Sequence, residues 1–436
     1  MIRFFNAYML FPLLEKAAKR DIFSKYKALK KFEKLTASEK LRIQKDELYK
    51  ILIFCQNSIP YYQDLFSQLS FDAEKIKKDI EYIKDIPILT KEIIRENGDR
   101  LKTPEAIHTR KTGGSTGQSV FFYYDDKGLD WSSAINLQAY DMAENFMYRK
   151  DCHISSELGF GIPPFKARFL DWLKLFSQNR KRLMISSFSD EDLAETLKNL
   201  RSIRPYLMQG HPSSAYAIAN YIKNNHLKKK KYCHVFEPSG EMLTEKMVAT
   251  IEEYLGAKVV NRYGNAEFGV MAHSKPEDPY TRLKIFDRAF YVEETQSSSL
   301  IITNFTNYGM PLLRYDTGDI GTVTHEPDGS YIYDIQGRIH DNVSINGEDY
   351  ATHYIMDYLD HKIGNIREFQ IIVNNSHTPK LNVVPENEED HERILTMLKE
   401  RWPVGLDIDF IKYEELEKVG WRQKFRHVIE HGVVAE

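Results

Sequence analysis

The chain has 436 residues, longer than one ordinary domain, which predicts two or three folded units. Hydrophobic residues make up 42%, enough for a sizeable core and too many for a disordered chain. The formal net charge is -3, so there is no global electrostatic case for a nucleic-acid partner, and the basic run Lys228–Lys231 reads as a solvated helix end or loop.

In chain order, Met1–Leu14 is apolar and aromatic but shorter than a membrane-spanning helix needs, and it contains Asn6 and Pro12. It lacks a positive leader region and a small-residue cleavage pattern. It reads as a helix packed on the body, with weak contact to a membrane surface as the alternative, so no integral membrane segment is expected. Residues up to about Leu101 read as mostly helical. Thr36 and Glu39 form a capping-box pair ahead of Leu41, Leu48, Ile51, Leu52 and Cys55 at helical spacing. Asn57–Tyr62 breaks that helix at Pro60. Pro87–Lys91 links to another helix, which Thr90 caps.

A helix is expected from about Leu129 to Asn145, and another from Ser187 to Leu200. Pro205–Ser214 reads as a strand entering a tight turn, with a helix from Ser214. A strand at Cys233–Phe236 leads to Pro238-Ser239-Gly240-Glu241, a helix at Thr244–Leu255, and a further strand at Lys258–Val260 before Asn261-Arg262-Tyr263-Gly264. This alternation predicts α/β layers around a sheet. From Leu283 to Tyr333 the pattern turns strand-rich: 289–292, 300–304, 321–324 and 331–333. Beyond Gly337-Arg338, a small α+β unit is expected, with alternation at Phe369, Ile371, Val373 and at Leu406, Ile408, Phe410, and helices near 352–359 and 388–401. Cys55, Cys152 and Cys233 have neither metal-ligand spacing nor an even-numbered disulfide framework, which predicts a reducing, cytoplasmic setting. His153, His211 and His273 match no zinc spacing.

The stretch richest in chemistry is Thr112-Gly113-Gly114-Ser115-Thr116-Gly117, followed by Gln118-Ser119 and the β-rich run Val120–Tyr124. Glycines let several backbone N–H groups point into one hollow, and such a hollow binds anions, with hydroxyls as further donors. A flexible surface turn is the alternative. The missing Gly-Lys-Ser/Thr ending and the missing helix after it argue against a Walker-type loop.

This run resembles the phosphate loop of the adenylate-forming (ANL) enzymes. Tyr263-Gly264-Asn265-Ala266-Glu267 is similar to their Tyr-Gly-x-Thr-Glu motif, and Arg314–Asp319 to their Arg-Tyr-x-Thr-Gly-Asp motif. Gly337-Arg338 stands where their hinge belongs and Lys424 where they keep a catalytic lysine. Pro60-Tyr61-Tyr62, Pro87–Lys91 and Gly210-His211-Pro212-Ser213 further resemble the phenylacetate–CoA ligase branch, which includes the CapK-like proteins of capsular polysaccharide clusters. The resemblance spans nearly the whole chain.

It implies a large N-terminal adenylation domain (1–336) of layered sheets and helices, a hinge (337–341), and a small mobile α+β lid domain (342–436). It also implies ATP- and Mg²⁺-dependent activation of a small carboxylic acid as an acyl-adenylate, then transfer to a thiol, with CoA as the expected acceptor. An amide- or ester-forming ligase of surface polysaccharide biosynthesis, and a non-catalytic adenylate-binding protein, are the alternatives. Assembly as a homodimer is compatible with the sequence.

On this pattern Thr112, Gly113, Gly114, Ser115, Thr116 and Gly117 wrap the β- and γ-phosphates, with the Thr116 hydroxyl in contact. Glu267 holds Mg²⁺, a task that suits one carboxylate beside phosphates and waters; a surface glutamate at a helix start is the alternative. Tyr263 offers a ring face to adenine, or is simply a core aromatic. Ser239, Gly240 and Glu241 lie along the adenine edge, with Asn261 and Gly264 beside the nucleotide. Asp319 accepts both ribose hydroxyls, or caps a turn. Arg338 reaches ribose or phosphate. Lys424 bridges carboxylate and α-phosphate as charge develops. His211 and Ala266 face the acyl group. The chain departs from the family at Gln118 and Ser119, at Ala266 where a hydroxyl is usual, at His340 where the hinge usually has an acid, and at Gln423 before the lysine.

Overall fold

A computed structural model of the protein describes residues 2–111, 120–146, 149–156, 164–185, 189–240, 243–336, 342–374, 378–412, 415–419, 424–425 and 427–431. The helical first quarter follows from local signals. The Ala37–Ser58 helix starts on the expected capping box: Thr36 Oγ1 accepts from Glu39 N, and the Glu39 carboxylate accepts from Thr36 N at 2.9 Å. Its apolar side, Leu48, Ile51, Leu52 and Cys55, is fully buried. Pro60 cannot continue that ladder and instead opens the Pro60–Leu69 helix at its first position. Tyr62 then anchors this region to the strands: its hydroxyl donates to Pro311 O at 3.1 Å and accepts from Leu313 N at 3.2 Å. Thr90 caps the Lys91–Asn97 helix through Ile93 N, as expected.

A hairpin of β1 (His108–Lys111) and β2 (Phe121–Tyr124) pairs Lys111 with Phe121, so the ends of the glycine-rich run are held across an antiparallel ladder. The helix predicted near Leu129 runs Asp126–Met142, started by Asp125, whose carboxylate accepts from Gly128 N at 2.7 Å. Five parallel strands follow: β3 (Asp151–Ser156), β4 (Arg180–Ile185), β5 (Leu207–Gly210), β6 (Val235–Pro238) and β7 (Lys258–Val259), in the spatial order β4-β3-β5-β6-β7. β5 and β6 are buried at every position, as strands covered on both faces must be. Leu197 and Leu200 of the Asp190–Ile203 helix, Ile218 and Ile222 of the Pro212–Asn224 helix, and Ile251 and Leu255 of the Glu245–Leu255 helix share a core with Cys152, Met208 and Phe236.

A seven-stranded antiparallel sheet comes next: β8 (Arg262–Asn265), β9 (Gly269–His273), β10 (Arg282–Ile285), β11 (Phe290–Glu294), β12 (Ser299–Asn304), β13 (Tyr315–Glu326) and β14 (Gly329–Gln336), ordered β11-β12-β13-β14-β10-β9-β8. It begins earlier than the expected Leu283, because the hairpin at Arg262 already belongs to it. The strand expected at 321–324 is the tail of the longer β13.

Residues from 342 onward gather a core of their own, including Ile355, Leu359, Phe369, Ile371, Leu381, Val383, Ile394, Leu398 and Trp402. Its strands are β15 (Asn342–Ile345), β16 (Glu348–Ala351), β17 (Ile366–Asn374), β18 (Lys380–Pro385), β19 (Asp407–Phe410), β20 (Lys418–Val419), β21 (Lys424–Phe425) and β22 (Val428–His431). The main sheet runs β19-β18-β17-β22, with the Thr352–Asp357 and His391–Arg401 helices, which matches the expected α+β pattern. Asn346 and Gly347, both at positive φ (52° and 83°), close the β15–β16 hairpin as a two-residue primed turn. The first residues form helical turns over Ile2–Phe5, Asn6–Leu10 and Phe11–Ala17, tied to the Phe165–Ser177 helix by Asn6 Nδ2, which donates to Phe176 O at 2.5 Å. Among the described residues no helix is long and apolar enough to cross a membrane. The three cysteines are buried free thiols.

Candidate functional site

The site is built on the β8–β9 hairpin. Its turn, Ala266–Phe268, is set by Asn265, whose side-chain oxygen accepts from Phe268 N at 3.0 Å. Gly264 is required here by crowding: a Cβ would lie 2.6 Å from the Gly269 carbonyl oxygen. The turn carries Glu267, 5% exposed.

Separate segments meet at this glutamate. From β13, Tyr315 donates its hydroxyl to Glu267 Oε1 at 3.0 Å. From β2, at the base of the glycine-rich run, Tyr124 donates to the Glu267 backbone carbonyl. Lys91, at the start of its helix, brings Nζ to 4.0 Å from Oε1. The Pro87–Lys91 segment is itself bonded to β13, through Leu89 N to Arg314 O and Asp316 N to Leu89 O, both 2.9 Å. Phe122 of β2 packs edge-on against Tyr315, with centroids 5.9 Å apart.

A second junction joins the same two motifs. Tyr263 donates its hydroxyl to Asp319 Oδ2 at 2.8 Å and lies 3.4 Å from Thr317 Oγ1. Thr317 Oγ1 accepts from Asp319 N at 3.2 Å, fixing the loop. Burial, and then the nearby Asp319 charge, raises the Tyr263 pKa well above that of a free phenol, so it remains a donor. Burial likewise pushes Tyr124 up to about 12. Asp319 is half-buried, beside Gly318, which is exposed at φ +72°.

The adenine-edge candidates sit at the carboxyl ends of β5 and β6, where open α/β sheets place their ligands. Ser239 N donates to Gly210 O at 3.0 Å, joining the two loops. Gly240 takes φ +79°, and a Cβ there would lie 2.9 Å from His211 Cε1, so glycine is needed for the His211 ring to reach this corner. Asn261 closes the start of β8: its backbone N–H donates to Ser274 Oγ at 2.7 Å and its side-chain oxygen accepts from Arg262 N at 2.8 Å.

One link between the two groups is a buried network that the sequence did not reveal. Glu237 accepts from Gln209 Nε2 and Arg262 at 2.8 Å each and lies 3.2 Å from His273 Nε2. Burial alone would raise its pKa, but the His273 hydrogen bond and the Arg262 charge outweigh burial and hold it at about 2. Nearby, Arg180 pairs with Asp151 at 2.5 Å and donates to Gln209 Oε1 at 2.8 Å. Burial, reinforced by Arg180, Arg182 and Arg262, keeps His153 neutral, with its pKa lowered to about 4.

The structure therefore brings together Glu267, Tyr263, Gly264 and Asp319, and separately Ser239, Gly240 and His211, with Ala266 and Asn261 on the same hairpin. Thr112, Gly113, Gly114, Ser115, Thr116, Gly117, Gln118, Ser119, Glu241, Arg338, His340, Asp341 and Gln423 lie outside the described residues. Lys424 stands in β21, paired with Val419 of β20. Arg314 is committed structurally: it ion-pairs with Glu293 at 3.1 Å and donates to the Lys84 and Ile86 carbonyls at 2.8 and 2.5 Å. Tyr124, Tyr315, Lys91 and Glu237 were missed. Tyr315 and Lys91 lie inside the Arg314–Asp319 and Pro87–Lys91 stretches; nothing in sequence separates Tyr124 and Glu237 from core residues.

No family model matches the chain. It is 25% identical over 415 residues to protein CapK of Staphylococcus aureus, covering 90% of each chain. It is 22% identical over 307 residues to phenylacetate–coenzyme A ligase of Thermus thermophilus, covering 66% of this chain and 67% of that protein. In fold it resembles 2-hydroxyisobutyryl-CoA ligase, whose structure holds 2-HIB-AMP and CoA, with a TM-score of 0.57 at 17% identity, covering 92% of this chain and 91% of that one. These likenesses point to the adenylate-forming enzyme superfamily, to its phenylacetate–CoA ligase and CapK-like branch.

Proposed function

We propose that the protein activates a small carboxylic acid with ATP and passes the acyl group to a thiol, CoA. In the first step a carboxylate oxygen attacks the α-phosphorus; the bond to the bridging oxygen breaks and pyrophosphate leaves. In the second the thiol sulfur attacks the acyl carbon, AMP leaves, and the thiol proton passes to solvent. The observation that carries this reading is the convergence on Glu267: β2, which leaves the glycine-rich run, β13, which leads to Asp319, and the Lys91 helix all touch one buried glutamate.

In this reading Thr112–Gly117 holds the β- and γ-phosphates, and the Lys111–Phe121 pair fixes the spacing of the loop ends. Glu267 is a fitting ligand for Mg²⁺: one carboxylate, held by the Tyr315 hydroxyl at 3.0 Å, with the Lys91 ammonium farther off at 4.0 Å. The ion supplies charge compensation on the phosphates when bound. Asp319 keeps one carboxylate oxygen bonded to Tyr263 and turns the other to the ribose. Tyr263 presents its ring to adenine, and Ser239, Gly240 and Glu241 border the base. Residues 337–341 act as the hinge that lets 342–436 carry Lys424 to the reacting carboxylate, with gating between the two half-reactions.

The test is ATP–pyrophosphate exchange across a panel of aromatic, fatty and short hydroxy acids, followed by product analysis with CoA or an amine as acceptor. Exchange with at least one acid, abolished in Lys424→Ala, and a thioester product are expected. No exchange with any acid would sink the activity, and an amide product without thioester would sink the choice of CoA.

A further inference from the structure

The proposed chemistry leaves one surface unused. The Phe165–Ser177 helix, beside the edge strand β4, buries only Ser177. Phe165 is 82% exposed, and Phe169, Leu170, Trp172 and Phe176 are exposed too. Phe165, Phe169, Trp172 and Phe176 follow one helical stripe. Phe169 stacks on Trp172 at 5.9 Å, and Trp172 on Phe176 at 5.4 Å. A helix of a globular protein ordinarily turns such a stripe inward. The amino-terminal turns, tied to this helix by the Asn6–Phe176 hydrogen bond, add Phe5, Met9 and Leu13, exposed at a spacing of four residues.

Positive charge is interleaved with this apolar surface. Lys166 and Arg168 flank the aromatic stripe, Lys174 lies on the opposite side of the same helix, and Lys181 of β4 and Lys16 and Lys19 beyond Leu13 are exposed as well. Between Phe165 and Met184 the one acid is Asp171, which is paired with Arg182 at 3.2 Å. A chain of net charge -3 thus carries cations around an exposed apolar stripe.

We propose that this face docks on an anionic lipid bilayer, lying in the headgroup plane with the aromatic stripe among the upper acyl chains and the lysines and arginines on the phosphates. Aromatic and basic side chains on one amphipathic surface are what an interfacial, non-spanning contact requires. A second copy of the chain fits less well, since a two-fold interface would set this cationic face against itself.

The experiment is co-sedimentation of the full chain with phosphatidylcholine vesicles, with and without phosphatidylglycerol, while tryptophan emission is followed. Two variants are compared: Phe165→Ser/Phe169→Ser/Trp172→Ser and Lys166→Glu/Arg168→Glu/Lys174→Glu. Both change exposed side chains, and circular dichroism checks that they fold. The wild type should bind the phosphatidylglycerol vesicles with a blue-shifted emission and release on added salt. Each charge reversal should weaken partitioning by roughly fivefold or more, and the serine variant should lose binding and the shift. The proposal is overturned if the wild type stays in the supernatant, if it binds neutral vesicles equally well, or if both variants bind as the wild type does. It is also overturned if sedimentation velocity shows a dimer that the serine variant dissolves while no vesicle binding occurs.

Discussion

Two buried glutamates touch opposite ends of the β8–β9 hairpin, Glu237 at Arg262 and His273 and Glu267 in the turn, and their surroundings are opposite. Glu237 is enclosed by Arg262, His273 and Gln209, so its charge is answered within the protein and its pKa is held at about 2. Glu267 is bonded by the neutral Tyr315, with the nearest cation, Lys91, at 4.0 Å. A charge already compensated by a hydrogen-bonded cation stabilises the fold; one left with a weaker answer is available to a ligand. Under the proposed function Glu237 serves the architecture and Glu267 the chemistry, so substitutions at the two should fail in different assays.

The largest effect should fall on stability at Glu237. Glu237→Gln leaves Arg262 without its carboxylate, and breaking a buried pair costs about 3–5 kcal/mol, read as a lower urea midpoint. The effect should depend on pH with a definite sign. Because the folded pKa is depressed from 4.5 to about 2, the ionised carboxylate contributes its stability above 4.5 and loses it as pH falls through about 2. The gap in unfolding free energy between wild type and variant should close over that window. A gap independent of pH would mean that the ion pairs do not hold the network.

Next comes Glu267→Gln. The amide keeps the Tyr315 contact but loses the charge, so folding should change little while pyrophosphate exchange falls by about 10²–10³-fold. Extra Mg²⁺ should restore part of it. If Glu267→Gln unfolds the protein and exchange survives in the folded fraction, the division between the two glutamates is wrong.

How much of this could be read in the sequence depended on whether the cause was local. Thr36 and Glu39 announce the Ala37–Ser58 helix because a cap is settled within one turn, and the motifs around Tyr263 and Asp319 were recognisable as short strings. The tyrosines that bind these strings together were not. Tyr315 reaches Glu267 across 48 residues and Tyr124 reaches it across 143, and before folding both look like ordinary core aromatics. Arg314 lies within the motif that ends at Asp319, and its guanidinium is committed to Glu293 and two carbonyls. Only the fold shows that these partners are structural. Exposure was equally hidden, since the Phe165–Phe176 spacing is that of a core-facing helix and only the fold shows it turned outward.

Gly264 extends the comparison to the backbone between the glutamates. The resemblance places Gly264 beside the nucleotide, and the hairpin also needs it for its own closure. Gly264→Ala should therefore destabilise the fold by about 1–3 kcal/mol through overpacking against the Gly269 carbonyl. Loss of ATP affinity at unchanged thermal stability would return the residue to the ligand.

The smallest effect should come from Tyr263→Phe, and it probes the boundary between the two roles most finely. The substitution keeps the ring that would lie on adenine and removes the hydroxyl that donates to Asp319 Oδ2 at 2.8 Å. If the phenol serves to aim Asp319 at the ribose, its loss costs about 1 kcal/mol, or roughly fivefold, in the KM for ATP. The same change should leave 2′,3′-dideoxy-ATP, which has no hydroxyls to offer Asp319, almost unaffected. Asp319→Asn should erase the difference between the two nucleotides altogether. Equal weakening toward both nucleotides would instead place Tyr263 with Glu237, as a residue that holds the sheet and touches the nucleotide only through it.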